Sequence, residues 1–573
     1  MRKKVLPMLL ALCMLVALLP ITTHAQDYTE WNDSANLPTS DGVYKLTTNV
    51  TLETEFSKYP SVRGNVVLDL NGHTVTVAGY GQYAYFLYSG ASLTIEDNLG
   101  GGKITNAGTG SMKTLIQVNG GSLTLAGGTL ENGSANGYAL FANSGSAVQI
   151  SGGTVINNAS GGHALQVNGD GTAVTMTDGV IENTAEGADA VYVNNGSFAL
   201  GGGTVKTSAT YSSKAAIYAN NGAAAVTISG GNIESASMGV YAALTPVSVT
   251  GGTITSTGHP FQTRYTTIEP ADGSEVIVNS DKELFYTFSG SNNSVHGGDF
   301  YVPGITKAYT SENPSTTTIT AGVFETPPTD YVSGDEIVLG YTGENGNLYV
   351  VGTEDLINAA IDVMAEPGSQ LEILKGDADL QIDKAGITVS NSGGGSVSVN
   401  GQEVTGQDPV VTHINVKKVE RKEATCTTDG NIAYWYCEDC GKYFKDAQLT
   451  EEITQEETVL KAKGHTAVKV SAKAATAKEA GNIEYWYCSA CDKYFKDAAL
   501  TQEISQKDTI LPATGSKDPG KDTGKTEEKA PAKTSSVPST GDHANVSVLW
   551  ILLAAAAVCG TGAFVGIRKN RRK

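Results

Sequence analysis

Five cysteines lie between Cys426 and Cys491, four of them in two Cys-x-x-Cys pairs, Cys437/Cys440 and Cys488/Cys491. Thiols at this spacing have two chemistries open to them. Outside the cytoplasm, each pair can close a disulfide, Cys437–Cys440 and Cys488–Cys491. In the first copy, Cys426, Cys437, Cys440 and His465 also supply the sulfur and nitrogen count of a closed tetrahedral Zn²⁺ site. The second copy has Ala477 and Ser516 in place of Cys426 and His465, so it cannot repeat that set.

A second series recurs further upstream. Leu87, Gln117, Phe141, Gln166, Tyr192, Tyr218 and Tyr241 occupy equivalent places in successive repeats. Rings and amides in one file form a ledge on which sugar rings can stack while amides bond their hydroxyls. The same residues also suit any exposed strand, where aromatic pairs stabilise the sheet. A third candidate is Glu131 with Glu182, two repeats apart and so about 9.6 Å by strand spacing. That is near the carboxylate gap of an inverting glycosidase. Ile156 stands between them, no basic cluster is evident nearby, and the neighbouring outward file (Asp69, Thr94, Thr124, Gln149, Thr175, Ala199, Thr227, Ser248) is almost free of acids. No catalytic residue is expected.

The elements that must position these side chains are read from the repeat itself. One pattern recurs: apolar, x, apolar, x, two turn residues that are usually Gly-Gly, x, apolar. Its apolar triplets are Leu68/Leu70/Val75, Leu93/Ile95/Ile104, Leu123/Leu125/Leu130, Val148/Ile150/Val155, Val174/Met176/Ile181, Phe198/Leu200/Val205, Val226/Ile228/Ile233 and Val247/Val249/Ile254. A period of 20–50 residues means a stacked array. Alternation at period two and β-branched residues argue strands. Leucine-rich repeats are disfavoured because their signature leucines are missing. Each coil contains a further strand ending in Asn (Asn119, Asn143, Asn168, Asn194, Asn220), and Asn106, Asn132, Asn157 and Asn183 mark a second file. Aligned Asn side chains bonding backbone above and below would be structural, since Asn tolerates turn geometry and both donates and accepts.

The region resembles the right-handed parallel β-helix of pectate lyases and many Gram-positive surface proteins, with Leu68-Asp69-Leu70-Asn71-Gly72-His73-Thr74 looking like an opening coil of that surface group. The resemblance implies about eleven coils and a closing segment over 330–351. It also raises polysaccharide lyase and glycoside hydrolase activity. The loop from Asn183 to Asp189 faintly resembles one of a polygalacturonase, but Ala185 stands where the key acid would be.

Both ends of the chain point to export. Arg2, Lys3 and Lys4, an apolar run from Val5 to Leu19 and Thr23-His24-Ala25 form the pattern of a signal peptide, residues 1–25. Val537, Pro538, Ser539, Thr540 and Gly541 precede an apolar run, 546–567, long enough to cross a bilayer of about 30 Å as a helix, and a basic tail, 568–573. This resembles an LPxTG-type sorting signal with Val for Leu. The resemblance implies that a sortase cuts between Thr540 and Gly541 and joins the chain to peptidoglycan. Leu511-Pro512-Ala513-Thr514-Gly515 matches that consensus more closely, yet no apolar run follows it. It aligns with the end of the first Cys-x-x-Cys copy, so it is read as repeat sequence.

The net charge is −20, and loss of the basic ends makes the product more acidic still. That excludes a default nucleic-acid binder. The resulting expectation is a mainly β protein. A β-helix spans 26–352 and a small β-rich segment 353–412. Cys-x-x-Cys modules follow at 413–465 and 466–515, then a disordered linker at 516–536 and a sorting motif at 537–542. The expected role is a non-enzymatic, wall-anchored adhesin or glycan-binding protein, with sortase, peptidoglycan and glycans as partners. No cofactor is expected except Zn²⁺ in the first module. A surface carbohydrate-active enzyme and a ligand-free structural wall protein are the alternatives.

Overall fold

Short alternating strands broken by glycine turns return the chain to the same three faces once per coil. The computed structural model describes residues 27–515 apart from 55–58, 80–82, 107–113, 221–224, 309–314, 344–345 and 407. The signal segment, linker, sorting motif, membrane run and tail therefore lie outside the described residues. Among those described, no helix is long and apolar enough to cross a membrane.

The N-terminal part is a parallel β-helix of about 11 turns. One face stacks Asn65–Asp69, Ser92–Glu96, Ser122–Leu125 and Ala147–Asn157 in parallel. The next stacks Thr74–Gly79, Lys103–Asn106 and Thr129–Asn132. The third stacks Tyr85–Leu87, Thr114–Asn119, Tyr138–Asn143 and His163–Val167. The apolar triplets form the core. Leu68, Ile95, Leu125, Ile150, Met176, Leu200, Ile228 and Val249 follow one another from coil to coil, and all are buried. Each such side chain contributes about 1.5–3 kcal/mol on leaving water.

Asp69, expected on the outward file, is buried instead. Its short side chain folds back over the turn, where the carboxylate accepts from the backbone N–H of Asn71 (2.8 Å) and Asn98 (3.0 Å) and from the Asn98 amide (3.0 Å). Asn71 and Gly72 themselves take left-handed φ values of 48° and 77°.

The two asparagine files differ. Along the second, the Asn106 amide donates to Asn132 Oδ1 (2.7 Å), Asn132 to Asn157 (2.7 Å) and Asn157 to Asn183 (2.8 Å). These bonds run from side chain to side chain. The amides of Asn132, Asn157 and Asn183 also donate to backbone within their own turns, as Asn157 does to the Ala159 carbonyl (2.7 Å), while Asn106 Oδ1 accepts from the Gly133 N–H of the next coil at 2.7 Å. Thr207 receives the next rung from Asn183 at 3.2 Å. The first file is only half-buried, with Asn194 donating to Asn168 at 2.8 Å.

The solenoid closes by reversing direction. Gly346–Gly352 runs antiparallel to Thr316–Phe324 and to Ile337–Gly343, and Ile337–Gly343 pairs in turn with Gln370–Lys375. Ile337, Leu339 and Val350 share one core with Ile357 and Ile361 of the helix Glu354–Met364 and with Leu371 and Ile373. The expected boundary at 352 is thus not a break. Most of the segment expected as 353–412 continues the cap, because the exposed last coil needs an apolar cover. The strand Val397–Val399 turns back through Asn400-Gly401 onto Gln402–Glu403.

A second compact unit holds the two modules. In the first, Val416–Val419, Tyr434–Cys437, Tyr443–Phe444 and Glu452–Ile453 form one antiparallel sheet, and Gly430–Asn431 pairs with Val459–Leu460. The second repeats this with Val468–Val470, Tyr485–Cys488, Lys493–Phe495 and Glu503–Ile504, and with Gly481–Asn482 against Ile510–Leu511. Leu511 is therefore strand, and the Thr514 N–H donates to the Thr476 carbonyl at 3.0 Å, as Lys463 does to Thr425 in the first copy.

Candidate functional site

Register on the third face brings the aromatic and amide residues into one file. Gln117 pairs with Phe141, Phe141 with Gln166, Gln166 with Tyr192, Tyr192 with Tyr218 and Tyr218 with Tyr241. All six are half-buried. Their upstream neighbour is Phe86, which pairs with Gln117. Leu87, expected there, is buried because alternation in Tyr85–Leu87 points only the middle residue outward.

The rings are not laid flat. Tyr192 and Tyr218 stack with centroids 5.3 Å apart and planes within 8°, and Tyr218 and Tyr241 stack at 4.3 Å and 10°. His163 stacks on Tyr192 at 4.7 Å, and Tyr138 on His163 at 6.0 Å. Coil spacing near 4.8 Å fits parallel rings face to face. The faces a sugar would need are covered by neighbouring rings. What the ladder offers a ligand is its hydroxyl-bearing edge.

Beside that edge lies a cleft of about 460 Å³ lined by Tyr138, His163, Gln166, Asp189, Tyr192, Ser213, Lys214 and Tyr218. Asp189 forms its floor, with its side chain 1% exposed. Its carboxylate accepts from the Ala215 N–H at 2.9 Å and from Lys214 Nζ at 3.3 Å, and His163 Nδ1 lies 3.6 Å away. The loop carrying Asp189 is held from below, where the Asn183 amide donates to the carbonyls of Ala185 (2.7 Å) and Ala188 (3.0 Å). Burial lowers His163 to about 4, against the pull of its bond to the Asp189 backbone, so the imidazole is neutral near pH 7. Burial also raises Asp189, opposed by the Ala215 N–H and by Lys214. Tyr218 is raised by burial and by the Tyr241 hydroxyl. A neutral imidazole, an ion pair, an amide and phenolic hydroxyls can bond a polyhydroxylated ligand. Among the described residues, Asp189 is the one carboxylate lining this cleft.

His163, Asp189 and Lys214 were not apparent from alternation. Ala139-Leu140, Ala164-Leu165, Ala190-Val191 and Ala216-Ile217 are each buried at both positions. That double inward step adds a second file off the core, half-buried Tyr138 and His163 with buried Asp189, which period-two counting conceals. The same geometry places His259 Nδ1 3.6 Å from the Glu283 carboxylate and stacks His259 on Tyr286.

Comparison with protein-family models, with curated proteins and with solved structures returned no match.

Glu131 and Glu182 are each ion-paired. Glu131 is bridged to Lys103 at 3.0 Å and Glu182 to Lys206 at 3.2 Å, bases from the adjacent coils that sequence reading did not place there. Among the described residues the five cysteines stand as free thiols. The four residues expected to share one site in the first module are divided between two groups. Cys426 and His465 converge with Cys488 and Cys491, all donor atoms lying within 4.8 Å of one another, while Cys437 and Cys440 gather with His413. Both groups could hold a metal ion. His465 lowers the Cys488 thiol to about 6, favouring the thiolate a metal requires.

Proposed function

We propose that this chain is a secreted, wall-anchored β-helix protein that binds a polyhydroxylated polymer, a surface or host glycan, without cleaving it. The observation that carries the reading is the Tyr/His ladder presenting its polar edge beside the Asp189–Lys214 cleft. The coil is read as right-handed, the hand that connections between parallel strands of one sheet take. Sortase and peptidoglycan remain the partners of the C-terminal signal, with Val537, Pro538, Ser539, Thr540 and Gly541 as the recognised segment. The pairing of Leu511 and the bonded Thr514 amide support cleavage at Thr540–Gly541, since a folded strand end is a poor protease substrate. For the modules, the metal is read as Zn²⁺, which favours thiolate and imidazole donors in tetrahedral sets.

Binding is tested by presenting a glycan array with the whole chain and then with Tyr192→Phe and Tyr218→Phe. These variants keep the ring stack and remove only hydroxyls. Loss of one hydrogen bond of about 0.5–1.5 kcal/mol weakens binding roughly 2- to 10-fold. If both Phe variants bind as tightly as the parent, the ligand does not use the hydroxyl edge. If no glycan binds at all, the proposal fails. For the anchor, Thr540→Ala is expected to release the protein from covalent wall fragments and Thr514→Ala to leave it attached. The reverse result would move the cleavage site.

A further inference from the structure

The modules superpose in sequence at an offset of 51, which places Cys437, Cys440 and Phe444 on Cys488, Cys491 and Phe495. Each pair takes its histidine from the segment just before its own first strand. His413 precedes Val416–Val419, and His465 precedes Val468–Val470. His413 packs 4.8 Å from the Phe444 ring and brings Nδ1 to 3.4 Å from Cys440 Sγ. His465 packs 4.6 Å from Phe495 and brings Nδ1 to 3.3 Å from Cys491 Sγ. Both modules therefore present the same three donors, two sulfurs and one imidazole nitrogen.

Among the described residues a fourth donor reaches only the second module, and it comes from the first. Cys426 is buried, with its Sγ 3.9 Å from Cys488 Sγ across 62 residues of chain. A tetrahedron of thiolates about 2.3 Å from zinc has sulfur–sulfur edges of about 3.8 Å. Cys426, Cys488 and the 3.3 Å His465–Cys491 approach thus lie at the edge lengths of a closed Cys₃His site.

We propose that Zn²⁺ held by Cys426, His465, Cys488 and Cys491 staples the first module to the second, while His413, Cys437 and Cys440 form an equivalent site left one protein ligand short. This rests on reading the stalk metal as zinc. The arrangement is directional, because each module lends a cysteine and a following histidine forward to the next. It accounts for two substitutions that have no reason if each module bound its own ion. The second module carries Ala477 at the lending position, and Ser516 and Lys517 stand at the module offset of 51 and the His413–His465 spacing of 52 beyond His465. Both ligands vanish together at the repeat that is followed by linker sequence and no third copy. The first site is short for the converse reason: no earlier copy precedes it to supply a cysteine.

The test is the zinc retained by the whole chain after a chelator wash, measured by elemental mass spectrometry in single and paired variants. Cys426→Ser and Cys488→Ser should each remove the same one equivalent, the double variant should remove no more, and Cys437→Ser should leave it in place. Cobalt substitution provides a second readout, because thiolate-to-metal charge-transfer intensity should correspond to three sulfurs at the tight site. If retained zinc is lost with Cys437→Ser and kept with Cys488→Ser, the ion is bound within the first module and the staple is refuted, although zinc survives. If the parent chain holds no zinc and peptide mapping finds Cys437–Cys440 and Cys488–Cys491 disulfides, the zinc reading itself falls.

Discussion

Truncating Asn157 to Ala breaks the asparagine ladder at its centre. The side chain accepts from Asn132 and donates to Asn183 Oδ1 and to the Ala159 carbonyl. After truncation the Asn132 amide keeps its bond to the Ser134 carbonyl at 3.0 Å, but Asn183 Oδ1 loses its donor in a site closed to water. A buried polar group left unpaired costs about 1–3 kcal/mol, and the lost side-chain volume adds to this, so about 2–4 kcal/mol is expected. Asn157→Asp is the sharper perturbation. It preserves shape but turns an acceptor toward the Asn183 and Ala159 oxygens. Burial and that apposition raise the new carboxyl's folded pKa above its unfolded value. Stability relative to the parent is then highest below the unfolded pKa and is lost as pH rises through the folded one. Because solenoid coils stabilise their nearest neighbours, the assay is hydrogen exchange resolved along the chain, with the coils beyond residue 260 as internal reference. If Asn157→Ala leaves protection between 130 and 190 within about 0.5 kcal/mol of the parent, the ladder is not a stabilising element.

Two further outcomes follow from particular geometries. Gly153 has φ 71°, and a Cβ there would stand 2.5 Å from the Gly128 carbonyl oxygen, whereas Gly90, at φ 80°, has open space around it. Gly153→Ala should therefore cost about 2–4 kcal/mol and Gly90→Ala only about 1–2 kcal/mol in thermal unfolding, the latter being the price of left-handed backbone alone; equal shifts would show that the carbonyl can yield. His163 titrates near 4 when folded and near 6.5 when not, so its contribution is complete above pH 6.5 and fades as pH falls through about 4. His163→Gln should flatten that part of the stability profile, and an unchanged slope would place the acid sensitivity elsewhere.

The solenoid was legible because burial on one side of each strand writes itself into the sequence as alternation. Leu68, Leu70 and Val75, like their counterparts in later coils, are buried where the pattern placed them. The Asn106–Asn183 file was legible for a similar reason, since one residue type recurring at one turn is conspicuous. The cleft was not, because paired inward residues such as Ala164-Leu165 disrupt the alternation just where His163 and Asp189 emerge. Ring orientation was also out of reach: the file was legible, but stacking along the coil axis depends on side-chain angles that sequence spacing does not encode. The metal groups depended on a partner outside the repeat unit. The joint loss of Cys and His at Ala477 and Ser516 was visible, yet it acquires meaning only once Cys426 is seen beside Cys488.

The asparagine ladder also bears on how such a protein carries load. Coils stabilised by their nearest neighbours give way one after another from an end. The rungs at Asn157 and Asn183 belong to the coils that supply His163 and Asp189, and Asn183 also holds the loop ending in Asp189. Peeling that begins at either end meets this row of buried side-chain bonds at the coils lining the cleft, so those coils are expected to outlast their neighbours.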